Sequence, residues 1–130
     1  ENYHNLIFNA KYSLADNGYT SIGIRSSNVN IEPWSSKEYM FVVKKDVIEL
    51  QKYNGKDKFF YSVPNTYISD LTPCKIEFGA FNEKNSVRII LKVDGREVFN
   101  QVDESGIITQ TGGFHVYNNG GNNVVISSVE

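Results

Sequence analysis

The chain has 130 residues, 40% hydrophobic and 22% charged, which is the length and composition of one globular domain with a full core. Its formal net charge of −2, without a dense basic run, argues against nucleic acid and a membrane surface as partners. No apolar run has transmembrane length, so we expect no membrane insertion. We expect a single domain over residues 1–130. Because the sequence begins with Glu1 rather than methionine, we expect it to belong to a larger multidomain protein.

Apolar residues alternate with a period of two along most of the chain, which predicts β-strands. These segments are rich in Val, Ile, Tyr and Phe, the residues that favour a half-buried pleated surface. No segment shows a sustained helical period, and the regular spacing predicts about ten strands in an all-β, two-sheet antiparallel sandwich. In chain order the clearest segments are 6–10, 22–25, 39–43, 48–53, 76–81 and 87–93.

Short polar turns separate these segments and predict hairpins. Asp94-Gly95 has the composition of a two-residue type I′ turn between two apolar segments, so it is the strongest hairpin signal. Lys45-Asp46 predicts a second hairpin, and residues 82–85 predict a third. The remaining turn segments are 16–18, 54–56 and 118–121.

The alternation also gives each segment an inward and an outward face, because one face of each sheet packs on the core. We expect several of these strands to share one sheet, and Glu77 to pair with Arg88 across a hairpin. The purely apolar sets are predicted to face inward: Ile22, Ile24, Met40, Val42, Ile48, Leu50, Ile76, Phe78, Val87, Ile89, Leu91 and Val93. The outward sets mix aromatic and charged side chains: Arg25, Tyr39, Phe41, Glu49, Gln51, Tyr53, Glu77, Phe81, Arg88 and Lys92.

Three segments resemble a known superfamily: YMFVVKKDVIELQKY over residues 39–53, IEFGAFN over 76–82 and VRIILKVDG over 87–95. They are similar to the concanavalin A-like lectin/glucanase superfamily, which includes laminin-G-like domains. Among its members, the chain most resembles the jelly-roll carbohydrate-binding modules of bacterial polysaccharide-degrading enzymes, including the fructan-binding modules of levanases. The resemblance covers residues 5–129. It implies a jelly-roll fold and a secreted bacterial module, extracellular or on the cell surface, that holds sugar in or near the concave sheet face.

The outward residues have the chemistry that sugar binding requires. Adjacent hydroxyl groups match side chains with two donors or two acceptors, and the C–H patches of a sugar ring stack on aromatic rings. An ordinary ion pair and packing beneath loops are the simpler interpretation of the same side chains. The predicted ligand-binding residues are Arg25, Trp34, Tyr39, Phe41, Glu49, Gln51, Glu77, Phe81 and Arg88.

We do not expect an enzyme. Glu49 and Glu77 are a candidate carboxylate pair, and retaining glycosidases need two carboxyl groups about 5 Å apart. The resemblance implies that glucanases of this superfamily carry their acids as Glu-x-Asp-x-x-Glu on one strand, whereas here Gln51 stands where an acid is required. Cys74, the single cysteine, begins a predicted strand, where we expect a partly buried and unreactive thiol.

No cofactor is expected. The two histidines, His4 and His115, have no partner at a metal-binding spacing. The resemblance allows for a structural calcium ion, because jelly-roll modules of this kind often carry one. Asp16, Glu32 and Asp103 are loose candidates for its ligands, although no loop has a recognisable calcium-binding spacing.

These observations favour a non-catalytic carbohydrate-binding module that holds a polysaccharide or its chain end on a sheet face. Its expected partners are a polysaccharide or oligosaccharide and attached catalytic or surface-anchoring domains, which the module targets to the glycan. A protein-interaction or adhesion module of laminin-G type and a structural spacer stay open as alternatives. Arg25 and Arg88 leave room for an acidic glycan, whereas Glu49 and Glu77 argue for a neutral one. The resemblance favours a neutral chain end, with fructan as one candidate.

Overall fold

The chain folds into two antiparallel β-sheets packed face to face, in a computed structural model that describes residues 3–27, 37–54, 57–109 and 112–129. The described residues form ten strands, and they contain no helix that could cross a bilayer. The predicted all-β sandwich is confirmed. The strands are β1 (Tyr3–Ser13), β2 (Tyr19–Ser26), β3 (Glu38–Val43), β4 (Val47–Asn54), β5 (Asp57–Pro64), β6 (Cys74–Asn82), β7 (Val87–Val93), β8 (Arg96–Asp103), β9 (Gly113–Asn119) and β10 (Asn123–Val129).

Each sheet has five strands. Sheet A has the order β10-β1-β6-β7-β8, and sheet B has the order β5-β4-β3-β2-β9. Strands β2 to β5 follow one another as hairpins within sheet B, and β6 to β8 do the same within sheet A. The β3–β4 and β6–β7 hairpins therefore belong to different sheets, and their outward residues point to opposite sides of the sandwich.

The predicted hairpins form where the local turn chemistry requires them. Asp94 and Gly95 have φ angles of 52° and 79°, the left-handed pair that a type I′ turn needs. The β3–β4 turn is closed by the N–H of Lys44, which donates to the carbonyl of Val47 at 2.9 Å. Both predicted two-residue turns are confirmed.

The core lies between the sheets. Phe41 of β3 meets Phe78 of β6 across the sandwich, edge to face, with ring centroids 4.7 Å apart. Most of the predicted inward residues belong to this core: Ile22, Ile24, Ile48, Leu50, Ile76, Phe78, Val87, Ile89, Leu91 and Val93.

Strand β3 faces the opposite way from the prediction. Its register pairs Phe41 with Ile22 of β2, so Tyr39 and Phe41 fill the core. Met40 and Val42 lie on the outer face, although both are buried there. The outward assignment of Tyr39 and Phe41 is therefore wrong. The segment is apolar on both faces, so alternation alone does not decide which face is inside.

Arg25 also points inward, and its predicted outward position is wrong. The register of β2 against β9 shifts around this residue, whose φ angle is 57°, so a bulge turns the side chain to the other face. The guanidinium donates to the side chain of Asn82 at 2.7 Å and to the carbonyls of Ala80 and Ile108 at 2.8 and 2.6 Å. Arg25 therefore ties sheet B to sheet A at one end of the sandwich.

A buried ion pair lies at the same end. Lys52 Nζ is 2.9 Å from Asp103 Oδ2, and both side chains are almost fully excluded from solvent. Lys52 also donates to the carbonyls of residues 105–106. The Tyr39 hydroxyl donates to Asp103 at 2.8 Å and accepts from the N–H of Ile108 at 3.1 Å. Burial raises the pKa of Tyr39 well above its ordinary value, so the hydroxyl stays protonated.

Cys74 is the first residue of β6, and its expected burial is confirmed. Burial raises the pKa of the thiol to about 11, with a smaller contribution from the charge of Asp94. At neutral pH the group is a protonated thiol, which is a poor nucleophile.

Candidate functional site

The nine predicted ligand-binding residues do not form one surface. Trp34 lies outside the described residues. Three of the others are interior, and the rest divide between the two outer faces, so the expected shared face is wrong. The interior residues are Arg25, Tyr39 and Phe41, those on sheet B are Glu49 and Gln51, and those on sheet A are Glu77, Phe81 and Arg88.

The register of β6 against β7 separates Glu77 from Arg88. Glu77 lies opposite Lys92, and Arg88 lies opposite Phe81. Arg88 Nε instead pairs with Glu83 Oε2 of the connecting turn at 2.9 Å. The predicted Glu77–Arg88 pair is wrong. Alternation gives the face of each residue, but it does not give the length of the turn, which sets the register.

The carboxylates are also dispersed. Glu49 and Glu77 stand on opposite outer faces with the core between them, so the candidate catalytic pair does not form. Of the calcium candidates, Glu32 lies outside the described residues, while Asp16 and Asp103 lie at opposite ends of the sandwich. Within the described ranges, no group of three or more His, Cys, Asp or Glu side chains is placed to hold a metal ion. Bound calcium stays a prediction.

A shallow depression of about 230 Å³ opens on the outer face of sheet B, and we call it the sheet B depression. Strand β4 supplies half of its lining, because alternate residues of a strand share a face and the intervening Ile48 and Leu50 point into the core. The lining residues are Tyr19, Val42, Lys44, Glu49, Gln51 and Tyr53.

Four of these side chains form a continuous polar row. Lys44 Nζ lies 3.0 Å from Glu49 Oε2, and Gln51 Nε2 donates to Glu49 Oε1 at 2.8 Å. The Tyr53 hydroxyl donates to Gln51 Oε1 at 3.2 Å. The hydrogen bonds hold each group in place, yet carboxylate and amide oxygens accept more than one bond, so capacity for a ligand remains. The row is a preorganised set of donors and acceptors.

Ser21 lies beside the row at the centre of the same face. Its register partners are Val42 of β3 and Tyr117 of β9, both on the outer side of sheet B. The Ser21 hydroxyl is fully buried and has no hydrogen-bond partner in the described structure. A buried polar group without a partner costs about 1–3 kcal/mol of stability.

Aromatic rings flank the polar groups. The rings of Tyr19 and Tyr117 lie on the β2–β9 side with centroids 6.1 Å apart. On the other side, Phe60 of edge strand β5 is the register partner of Gln51 and is 61% exposed. An exposed ring beside hydrogen-bonding groups is the combination that the two kinds of sugar surface require.

A second depression, of about 310 Å³, adjoins the first at the end of the sandwich and shares Tyr19 and Lys44 with it. It continues over the β1–β2 and β3–β4 turns, where the exposed side chains of Lys45 and Asp16 pair at 2.7 Å. The hydrogen bond from Lys45 lowers the pKa of Asp16. The recessed surface therefore extends beyond the polar row.

The sequence predicted Glu49 and Gln51 as ligand-binding residues and Tyr53 as an outward residue, but it did not identify their neighbours across the sheet. The missing information was the pairing of β5 and β9 with the predicted strands. The turn at residues 54–56 contained part of that signal, because a tight β4–β5 hairpin places Phe60 opposite Gln51. The other missed residues are Tyr19, Ser21, Lys44 and Tyr117.

Comparison with solved structures identifies related folds at low sequence identity. Sheep galectin-11, in complex with glycerol, superimposes with a TM-score of 0.65 and 8% identity over 98% of this chain and 87% of the galectin chain. Carbohydrate-binding module CBM66 from Bacillus subtilis gives a TM-score of 0.57 and 14% identity over 98% of this chain and 74% of that one. No family model and no curated protein matches the chain. The chain therefore shares the two-sheet β-sandwich fold of these two proteins, which is the fold that the sequence resemblance implied.

Proposed function

We propose that the chain is a non-catalytic carbohydrate-binding module whose site is the sheet B depression. The observation that carries the proposal is the polar row, in which Lys44, Glu49, Gln51 and Tyr53 are bonded to one another on the floor of an open recess. The two solved structures add support, because one is a carbohydrate-binding module and the other, a galectin, holds a polyol, glycerol.

Bonding within the row favours a neutral glycan. The positive charge of Lys44 is balanced by Glu49 at 3.0 Å, so the row carries no net charge for an acidic sugar to neutralise. The two arginines that left an acidic glycan open do not reach this face, because Arg25 is interior and Arg88 lies on sheet A. Hydroxyl pairs bind the row while a ring face stacks on Phe60 or Tyr19.

The module's wider role follows from this chemistry. An open, water-exposed site of modest depth gives weak binding, in the micromolar to millimolar range, because water competes for each hydrogen bond. Weak binding suits a domain that keeps an attached enzyme or surface protein close to an extracellular polysaccharide. The proposed setting is therefore secreted or at the cell surface, with a polysaccharide or oligosaccharide as partner and without a required metal ion.

A glycan array, with and without calcium, followed by calorimetry on the strongest glycan, tests the proposal. In Glu49→Ala the row loses its central acceptor, and we expect the affinity to fall roughly tenfold or more, since a hydrogen bond to a charged group contributes about 1.5–3 kcal/mol. Gln51→Ala should have a smaller effect in the same direction. Glu104→Ala removes an exposed carboxylate outside the lining and is the matched control.

Three outcomes contradict the proposal in different ways. Unchanged affinity in Glu49→Ala and Gln51→Ala moves the site away from sheet B. Binding that requires calcium contradicts the metal-free site. No binding to any glycan, with capture of a protein ligand instead, replaces the proposal with the interaction-module alternative.

A further inference from the structure

The outer face of sheet A carries a separate depression on the far side of the sandwich, about 100 Å³ in volume. It is centred on Gly79 of β6, whose register partners are Asn5 of β1 and Ile90 of β7. A glycine in the middle of a central strand lacks the side chain that would fill this space, and such positions often mark the close approach of a ligand. Glu77 and Lys92 complete the lining.

Three polar side chains surround the glycine, and the structure describes no bonding partner for any of them. Among the residues that the structure describes, the Asn5 amide, the Glu77 carboxylate and the Lys92 ammonium make no hydrogen bond and no ion pair. Glu77 and Lys92 are direct register partners of opposite charge, which is the arrangement in which a cross-strand pair normally forms. Their separate positions leave one acceptor group, one donor group and one amide around the depression.

We propose that this depression is a second carbohydrate site, which takes a single neutral sugar ring and makes the module bivalent. The Glu77 carboxylate accepts from two adjacent hydroxyl groups, the Lys92 ammonium donates to a ring or hydroxyl oxygen, and the Asn5 amide does either. The C–H face of the ring lies on the half-buried side chain of Ile90, above the position where Gly79 carries no side chain. This inference takes its ligand class from the proposed function, but its residues are separate from the sheet B depression.

The charges and dimensions of the lining argue for this occupant. Glu77 and Lys92 sum to zero charge, so neither an acidic glycan nor a polycation is attracted over a neutral sugar. A volume of about 100 Å³ admits part of one ring and leaves the rest above the sheet, in water. The site is therefore weaker and less selective than the polar row of sheet B, where four side chains converge.

The test is a ¹⁵N-labelled titration followed by amide chemical shifts, with D-fructose, D-galactose and D-glucose as separate probes at high millimolar concentration. We expect at least one sugar to shift two separate groups of amides, one around Gln51 and one around Gly79. Gly79→Val fills the depression with a residue that favours strands, so it should remove the second group of shifts while the fold and the first group remain. Lys92→Ala should weaken the second group, and Lys75→Ala, an exposed lysine of β6 outside the lining, should not.

Each failure has a separate signature. If the amides around Gln51 shift to saturation while those around Gly79 do not shift, the second site is overturned and the proposed function stays intact. Shifts around Gly79 that persist in Gly79→Val also overturn the second site. Free glycine is added as a zwitterionic control probe. If it shifts the amides around Gly79 more than any sugar does, the depression binds zwitterions and the proposed ligand class is wrong. No shift with any sugar on either face counts against both proposals.

Discussion

The buried end of the sandwich and the sheet B depression use almost the same side chains for different purposes. At the buried end, Lys52, Asp103 and Tyr39 are bonded to one another and to backbone carbonyls, without solvent access. In the depression, Lys44 and Glu49 pair in the same way but stay partly exposed, with 40% and 11% of their side chains accessible. Residue type does not separate the structural cluster from the proposed site. Solvent access and spare hydrogen-bonding capacity do.

The largest change in stability is expected when the buried end of the sandwich is disrupted. Asp103→Ala leaves the Lys52 ammonium buried without its counter-charge, which costs about 3–5 kcal/mol of unfolding free energy. Urea denaturation measures the loss, and Glu104→Ala, an exposed neighbour, should leave the unfolding midpoint unchanged. Sugar binding at temperatures where the variant is folded should match that of the parent chain. A change of less than about 1 kcal/mol would show that the pair contributes little.

Tyr39→Phe tests the buried end through the pH dependence of its stability. Its lost hydroxyl leaves Asp103 and the Ile108 N–H short of a partner, at a cost of about 1–3 kcal/mol. Because burial raises the pKa of Tyr39 in the folded chain, the unfolded chain loses its proton first, and stability falls as pH rises above about 10. The fall should be shallower in Tyr39→Phe than in the parent chain. Equal slopes in alkaline denaturation series would contradict this account.

Phe60→Ala is expected to have the smallest effect and to act on binding alone. The ring is 61% exposed on an edge strand, so its removal should change unfolding free energy by no more than about 0.5 kcal/mol. Loss of a stacking surface worth about 0.5–1.5 kcal/mol should lower glycan affinity by a few-fold. Leu71→Ala, which removes another exposed apolar side chain, is the calorimetric control. Equal affinities in both variants would remove Phe60 from the site.

The predictable parts of the structure are those determined by residues that are close together in the sequence. The Asp94-Gly95 turn has its own conformational preference, and the period-two pattern of residues 87–93 is polar on one face only. Strand β3 has no such asymmetry, so its orientation depends on the register with β2 and β4. The inward turn of Arg25 depends on a bulge that alternation cannot reveal.

The candidate site was only partly predictable because it is assembled across strands. Alternation placed Glu49, Gln51 and Tyr53 on one face of β4 correctly, since they share a single strand. The prediction left open whether the two hairpins lie side by side, because sequence order does not reveal which sheet a hairpin joins. They belong to opposite sheets. Partners such as Phe60 and Tyr117 became visible only with the strand order of sheet B.

The alternation of β4 has a consequence for how this domain can change. Residues 48, 50 and 52 hold the interior, while residues 49, 51 and 53 line the depression. One eight-residue strand thus uses separate sets of side chains for the core and for the depression. Random substitution restricted to the odd positions should therefore yield folded proteins in which only the surface of the proposed sugar site is changed.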